Sequence, residues 1–256
     1  MKIEVGKIKV FIISLFNQSQ RRKEILAQCY ELKLDVEIYD AVEGVNLTDD
    51  FLEKEVAGYP ASKMTLGVIG CALSHRLVYE RIIEEGLACA LILEDDARID
   101  SELINTLKQI ELTVDANKNN VYLLTAPESY YKDKKIELGS GVIFHKISDA
   151  SSTMGYVVTQ RAARSLINAN TPIRWEADLW VYFNRLYGID TFCRVPHIVK
   201  DGDSESLTST LQQDRSINSL QRGIYRHQLQ KKAPGYQFKR LRRILCNKFS
   251  QKVIYQ

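Results

Sequence analysis

ACALILEDDAR, residues 88–98, sets a run of small and apolar side chains directly against three consecutive acids. Up to Leu93 the run is short for a helix and apolar at alternate and intervening positions alike, the pattern of a strand buried on both faces of a parallel sheet. Carboxylates do not stay unpaired in an apolar layer, so the strand must break the surface at Glu94, Asp95 and Asp96. That places them at its carboxyl end, where open α/β sheets bind ligands. Hard oxygen ligands of this kind suit Mg²⁺ or Mn²⁺, which take one or two protein carboxylates and leave other positions to water and phosphate. A bare run of acids is also what a solvated strand-to-loop junction presents.

Outward from this strand, 256 residues suffice for one large α/β domain with an appendage. Charged residues at 26% and hydrophobic residues at 45% are ordinary for a globular chain. Five scattered cysteines, Cys29, Cys71, Cys89, Cys193 and Cys246, form no CxxC pair and point to free thiols in a reducing compartment. No apolar run approaches the roughly 18 residues of a membrane span, and the lysine-bearing amino terminus lacks a signal-like core. The expectation is a protein neither secreted nor integral. After Asp214 there is no acid but eleven Lys and Arg, so the body is net acidic and the end strongly basic. A basic extension of this sort suits an anionic partner, phospholipid or nucleic acid.

In chain order, Lys9–Leu15 predicts a first strand and Asn17–Glu31 a helix with Arg21, Arg22 and Lys23 in its first turn. Helix starts favour acids, so these bases either meet an anion or form a solvated face. Asp35–Tyr39 predicts a second strand, followed by Asp40. Leu66–Glu85 predicts a long helix carrying His75 on or beside its buried face, where a hydrogen-bonded core histidine and a ligand are the alternatives. Ser101 is the expected N-cap of a helix reaching Thr113. Strands are predicted over Val121–Thr125, Gly141–His145, Ser152–Val158 and Thr191–Val195, with a helix over Gln160–Asn168. The Lys- and Tyr-rich segment between the first two of these strands reads as a long functional loop. Trp175–Leu186 predicts an amphipathic helix bearing Glu176 and Asp178, whose tryptophans either join the core or stack on sugars.

VFIISL followed by RR, then YDAVEG, LGVIGCALSH, ALILEDDARI, MGYVVTQRAAR, the Asp of WEADLW and the closing QFKRLRRIL together resemble glycosyltransferase family 25. That family includes β-1,4-galactosyltransferases of bacterial lipooligosaccharide synthesis and is related to procollagen galactosyltransferase domains. The resemblance implies a GT-A-like α/β domain, residues 1–214, with a mainly parallel central sheet flanked by helices, and a basic helical extension, residues 215–256. It implies an inverting transferase taking galactose from UDP-galactose, with Mn²⁺ or Mg²⁺. Asp96 and Glu94 would face the metal. Ser14, Leu15, Arg21, Asp40, Glu94 and Asp95 would surround the nucleotide sugar. Asp178 would be the general base, with Glu176 in reserve. His197 lies where some GT-A enzymes place a further metal ligand, but the resemblance does not extend to it.

Loss of the anomeric carbon to phosphate bond builds negative charge on the departing nucleoside diphosphate, which a cation stabilises. The acceptor hydroxyl attacks from the opposite face and must lose its proton to a base. Acid clusters also serve metal-dependent nucleases and nucleotidyltransferases, and the basic end alone would suit a non-catalytic nucleic-acid binder, but neither accounts for GCALSH and LEDD together. The expected acceptor is a lipid A-core or similar glycolipid, with no nucleic acid partner. Phe238, Leu241, Leu245 and Phe249 recur at spacings of three and four among bases, as in a helix lying on an anionic membrane or one whose apolar side packs on the body or on an oligomer interface. The expected location is cytoplasmic, peripheral on the inner face of a bacterial inner membrane.

Overall fold

The computed structural model describes residues 8–202 and 210–255. Its strands are β1 (Lys9–Ser14), β2 (Val36–Asp40), β3 (Cys89–Glu94), β4 (Ala97–Ile99), β5 (Asn120–Leu123), β6 (Ser129–Gly139), β7 (Val142–Asp149), β8 (Gly155–Thr159), β9 (Asp190–Arg194), β10 (Val199–Asp201) and β11 (Lys252–Ile254). Its helices are α1 (Ser19–Glu31), α2 (Asp49–Glu55), α3 (Leu66–Glu84), α4 (Glu102–Thr113), α5 (Gln160–Ala169), α6 (Trp180–Tyr187), α7 (Thr210–Lys232) and α8 (Tyr236–Phe249). The main sheet runs β11-β6-β7-β9-β5-β8-β3-β1-β2, and β4 pairs with β10 beside it. In the main sheet β1, β2, β3, β5, β6 and β9 point one way and β7, β8 and β11 the other. Six of the nine strands therefore share one direction, with parallel ladders at β2-β1-β3 and β5-β9, and the buried β3 lies between parallel β1 and antiparallel β8.

Because β3 is sandwiched, its alternate side chains feed two cores. Ala90 and Ile92 pack with α3, α5 and α6, while Leu91 and Leu93 pack with α1 and α4. The long helix α3 begins where Thr65 accepts a hydrogen bond from the Val68 amide. Its Gly70 lets the segment after β2 lie against it: a Cβ there would stand 2.4 Å from the Val42 carbonyl oxygen. Ser74 fixes the same approach, accepting from the Val42 amide at 2.8 Å and donating to the Gly70 carbonyl at 2.7 Å.

Several expectations change. The Lys- and Tyr-rich segment is not a loop but the long strand β6, whose outer side chains are charged because one face meets solvent. Ser101 itself has helical backbone angles and makes no cap; Asp100 accepts from the Glu102 amide instead. The predicted helix from Trp175 starts only at Trp180, since residues 170–179 are held in irregular backbone, Asn170 Oδ1 accepting from the amides of both Arg174 and Trp175. Residue 214, the expected division, falls inside α7. The extension's β11 adds an edge strand to β6, and Arg222 of α7 is buried against the body. The amino-terminal lysines, residues 1–7, and the side chain of Arg215 lie outside the described residues.

Candidate active site

The carboxyl ends of β2, β1 and β3 lie side by side, with Ser14 opposite Asp40 and Ile13 opposite Glu94. Strand alternation then sorts the acids by face. Glu94 turns to the α3 side, where its carboxylate lies 3.4 Å from His75 Nε2 and accepts from the Thr153 hydroxyl. Asp95 turns to the α1 side, accepting from Ser14 Oγ at 2.5 Å and facing Arg21 at 3.4 Å. Asp96 follows the strand. Its Oδ1 is buried with no hydrogen-bond partner, and burial, reinforced by Glu94 and Asp95, pushes its pKa up to about 7.

Arg22 joins these pieces and was not singled out from the sequence beyond its place in the basic turn. Its guanidinium donates to Asp40 at 2.5 Å, to the Ser14 carbonyl at 2.8 Å and to the Leu15 carbonyl at 3.1 Å. The bases of α1 thus meet carboxylates and carbonyls of the site itself: Arg21 reaches Asp95, and Arg22 ties β1 to β2. The available signal was the basic first turn, whose partner no sequence pattern identifies.

The structure therefore brings Ser14, Leu15, Arg21, Asp40, Glu94, Asp95 and Asp96 to one sheet edge. Among the described residues, the group of three potential metal ligands that converges is Cys71, His75 and Glu94, while Glu94 also lies close enough to Asp96 to help raise its pKa. Asp178 occupies the turn before α6, not the helix itself. Trp180, two residues on, donates its indole N–H to the Ser152 carbonyl at 2.8 Å, which fastens this turn to the segment carrying Thr153 beside Glu94. Glu176 is withdrawn from service as reserve base: Arg222 binds it in a fork, at 2.9 and 3.0 Å. Trp175 and Trp180 are fully buried and form core, so neither stacks on a sugar. His197 is engaged by the Tyr255 hydroxyl at 2.8 Å.

An α/β sheet that gathers acids and arginines at the carboxyl ends of neighbouring parallel strands places them where open sheets of this class bind ligands. The sequence profile described as "Glycosyltransferase family 25 (LPS biosynthesis protein)" matches residues 7–181, and the chain belongs to this family. It is 30% identical over 182 residues to the human "Inactive glycosyltransferase 25 family member 3", covering 67% of this chain and 30% of that protein. It is 28% identical over 177 residues to human "Procollagen galactosyltransferase 2", covering 65% and 28%. The chain thus spans less than a third of these curated relatives. A solved glycosyltransferase involved in glycosylation of the major capsid of PBCV-1 aligns over 81% of this chain and 97% of its own at 12% identity, with a TM-score of 0.41.

Proposed function

We propose that this chain is a cation-dependent, inverting galactosyltransferase that uses UDP-galactose and a terminal sugar of a lipooligosaccharide or lipopolysaccharide core. Names among its relatives include both galactosyltransferases and inactive members, so the catalytic reading rests on the site. The observation that carries it is Asp96, a carboxylate at the carboxyl end of β3 with a buried, unpartnered oxygen and a pKa raised to about 7. Such a group is ill-placed as an isolated anion and well placed to hold a hard cation. Mn²⁺ or Mg²⁺ fits an oxygen site of this kind and would supply Lewis-acid stabilisation of the leaving diphosphate.

The chain's own residues do the rest. Ser14 and Arg21 fix Asp95, and Arg22 fixes Asp40, so the nucleotide meets oriented carboxylates and a cationic helix start. Asp178 accepts the proton of the acceptor hydroxyl as its oxygen bonds to the anomeric carbon and UDP departs with the bonding pair. The basic, outwardly apolar helix α8 holds the enzyme on the anionic inner face of a bacterial inner membrane, beside its glycolipid acceptor.

The test is UDP release from UDP-galactose, UDP-glucose, UDP-N-acetylglucosamine and UDP-N-acetylgalactosamine, each with and without Mn²⁺ and with glucosyl or N-acetylglucosaminyl acceptors. The expected result is acceptor-dependent, Mn²⁺-stimulated release from UDP-galactose. Turnover of none of these donors, or phosphodiester cleavage of nucleic acid instead, would overturn the reading.

A further inference from the structure

LGVIGCALSH places Cys71 and His75 four residues apart, on one face of α3. Glu94, at the end of β3, meets that face, and one ligand atom from each of the three residues lies within 4.8 Å of the others. His75 is 1% exposed. Its Nδ1 is 2.7 Å from the Tyr156 hydroxyl, which is 2.7 Å from that of Tyr79, and both tyrosines are buried. This bond orients the ring and turns Nε2 toward Glu94.

The 3.4 Å between Nε2 and Glu94 Oε1 is long for a charge-assisted hydrogen bond, which closes to about 2.7–2.9 Å. It is close to the separation of two ligands on one tetrahedral ion: bonds of about 2.0–2.1 Å put N and O roughly 3.3 Å apart. A thiolate, an imidazole and a carboxylate leave one tetrahedral position open. We propose that Cys71, His75 and Glu94 form a Zn²⁺ site, separate from the hard-cation carboxylate Asp96. Thiolate and imidazole ligands favour Zn²⁺ over Mg²⁺ or Mn²⁺, whereas Asp96 offers only oxygen. Tyr156 on His75 and Thr153 on Glu94 are outer contacts of the kind that fix a ligand's orientation and raise its affinity.

The other thiols do not compete on the same terms. Burial pushes Cys29, Cys89 and Cys193 up to about 12, against thiolate formation. Cys246, bonded to Lys134, is the one to control for. The site joins α3 to β3 at the point where the two most specific sequence motifs meet. It does not depend on the galactosyltransferase reading and is read out without turnover.

The experiment is titration of the chelator-treated full chain with Co²⁺, followed by thiolate-to-cobalt absorption in the near ultraviolet, and then displacement by Zn²⁺. The thiolate band should saturate at one equivalent attributable to this site in the wild type, in Cys246→Ser and in Asp96→Asn. Cys71→Ser should lose the thiolate band, and His75→Ala and Glu94→Gln should weaken Zn²⁺ at least about tenfold. Tyr156→Phe should weaken it by about tenfold or more while retaining the band. If Cys71→Ser fails to fold by circular dichroism, Glu94→Gln and Tyr156→Phe decide the matter. No thiolate band in the folded wild type, a band lost with Cys246 instead, or Zn²⁺ affinity unchanged in Glu94→Gln would each overturn the site.

Discussion

Asp96 concentrates the electrostatic tension of the site, since its pKa of about 7 stands above the ordinary carboxylate value near 3.8. The folded protein therefore holds a proton that the unfolded chain has already released between about pH 4 and 7. Stability falls as pH rises through that window. One pH unit of displacement corresponds to about 1.4 kcal/mol; discounted for partial exposure, the loss should be on the order of 2 kcal/mol. Metal-free protein should thus melt lower at pH 8 than at pH 5, Asp96→Asn should flatten that slope, and Mn²⁺ should raise the pH 8 melting temperature of the wild type alone. The same substitution should cost about two orders of magnitude or more in transfer. Asp178→Asn should instead slow transfer by about 10² to 10⁴ while calorimetry shows UDP and Mn²⁺ binding little changed; loss of both together would make Asp178 part of the donor site. The acids themselves were legible in LEDD, because an apolar run must surface where its carboxylates begin. Their division between His75 and Ser14 was not, since it depends on which helices cover each face of β3.

At the level of elements, the same chemistry that makes a catalytic candidate in sequence makes a clamp in three dimensions. Glu176 looked like a second base because it sits two residues from Asp178. The structure shows it holding Arg222, which also donates to the Ser62 and Arg174 carbonyls and is 5% exposed. This fork docks α7 onto the body, next to Tyr225, which donates to the Ala57 carbonyl. Removing one partner strands a largely buried charge, so Arg222→Ala should destabilise by about 3 kcal/mol in urea unfolding. Glu176→Gln should cost less, and the double variant should fall well short of the sum. Additive losses would mean that the pair contributes little. The clamp was hidden because 46 residues separate its halves and an arginine in a basic run reads as solvated surface. The strand β6 was hidden for a related reason: KDKK suits an exposed strand face as well as a loop. By contrast β1, α3 and β3 were plain, since their apolar periodicity reports burial directly.

Across the whole molecule, α8 is the element whose environment disagrees with its composition. It has no buried residue, and Phe238, Leu241, Leu245 and Phe249, which share one side, are 47–75% exposed. The helix is tied down by other contacts: Lys239 donates to the Leu186 carbonyl, Lys134 to Cys246, and β11 continues into the sheet. An apolar side turned to water beside Arg240, Arg242, Arg243 and Lys248 matches the interface of an anionic bilayer, with each base near the surface contributing on the order of 1 kcal/mol. A concave cationic patch between α6 and α8, including Arg185, Lys239, Arg240 and Arg243, adds charge that suits a lipid phosphate. Among the described residues no helix is long and apolar enough to cross a membrane. Cutting the chain at Gly235 would remove β11 and Tyr255 with α8, so substitution is the cleaner experiment. Wild type should float with liposomes containing anionic lipid and should be released by high salt. Phe238→Ser/Leu241→Ser/Leu245→Ser/Phe249→Ser should stay behind, and Arg240→Gln/Arg242→Gln/Lys248→Gln should bind more weakly by roughly a hundredfold, given about 1 kcal/mol per base. Both variants should retain transfer to a soluble acceptor, because these side chains lie outside the sheet edge that carries the acids. Equal flotation of wild type and the serine variant, or light scattering showing that the apolar side is covered by a second copy of the chain, would remove the membrane from the account.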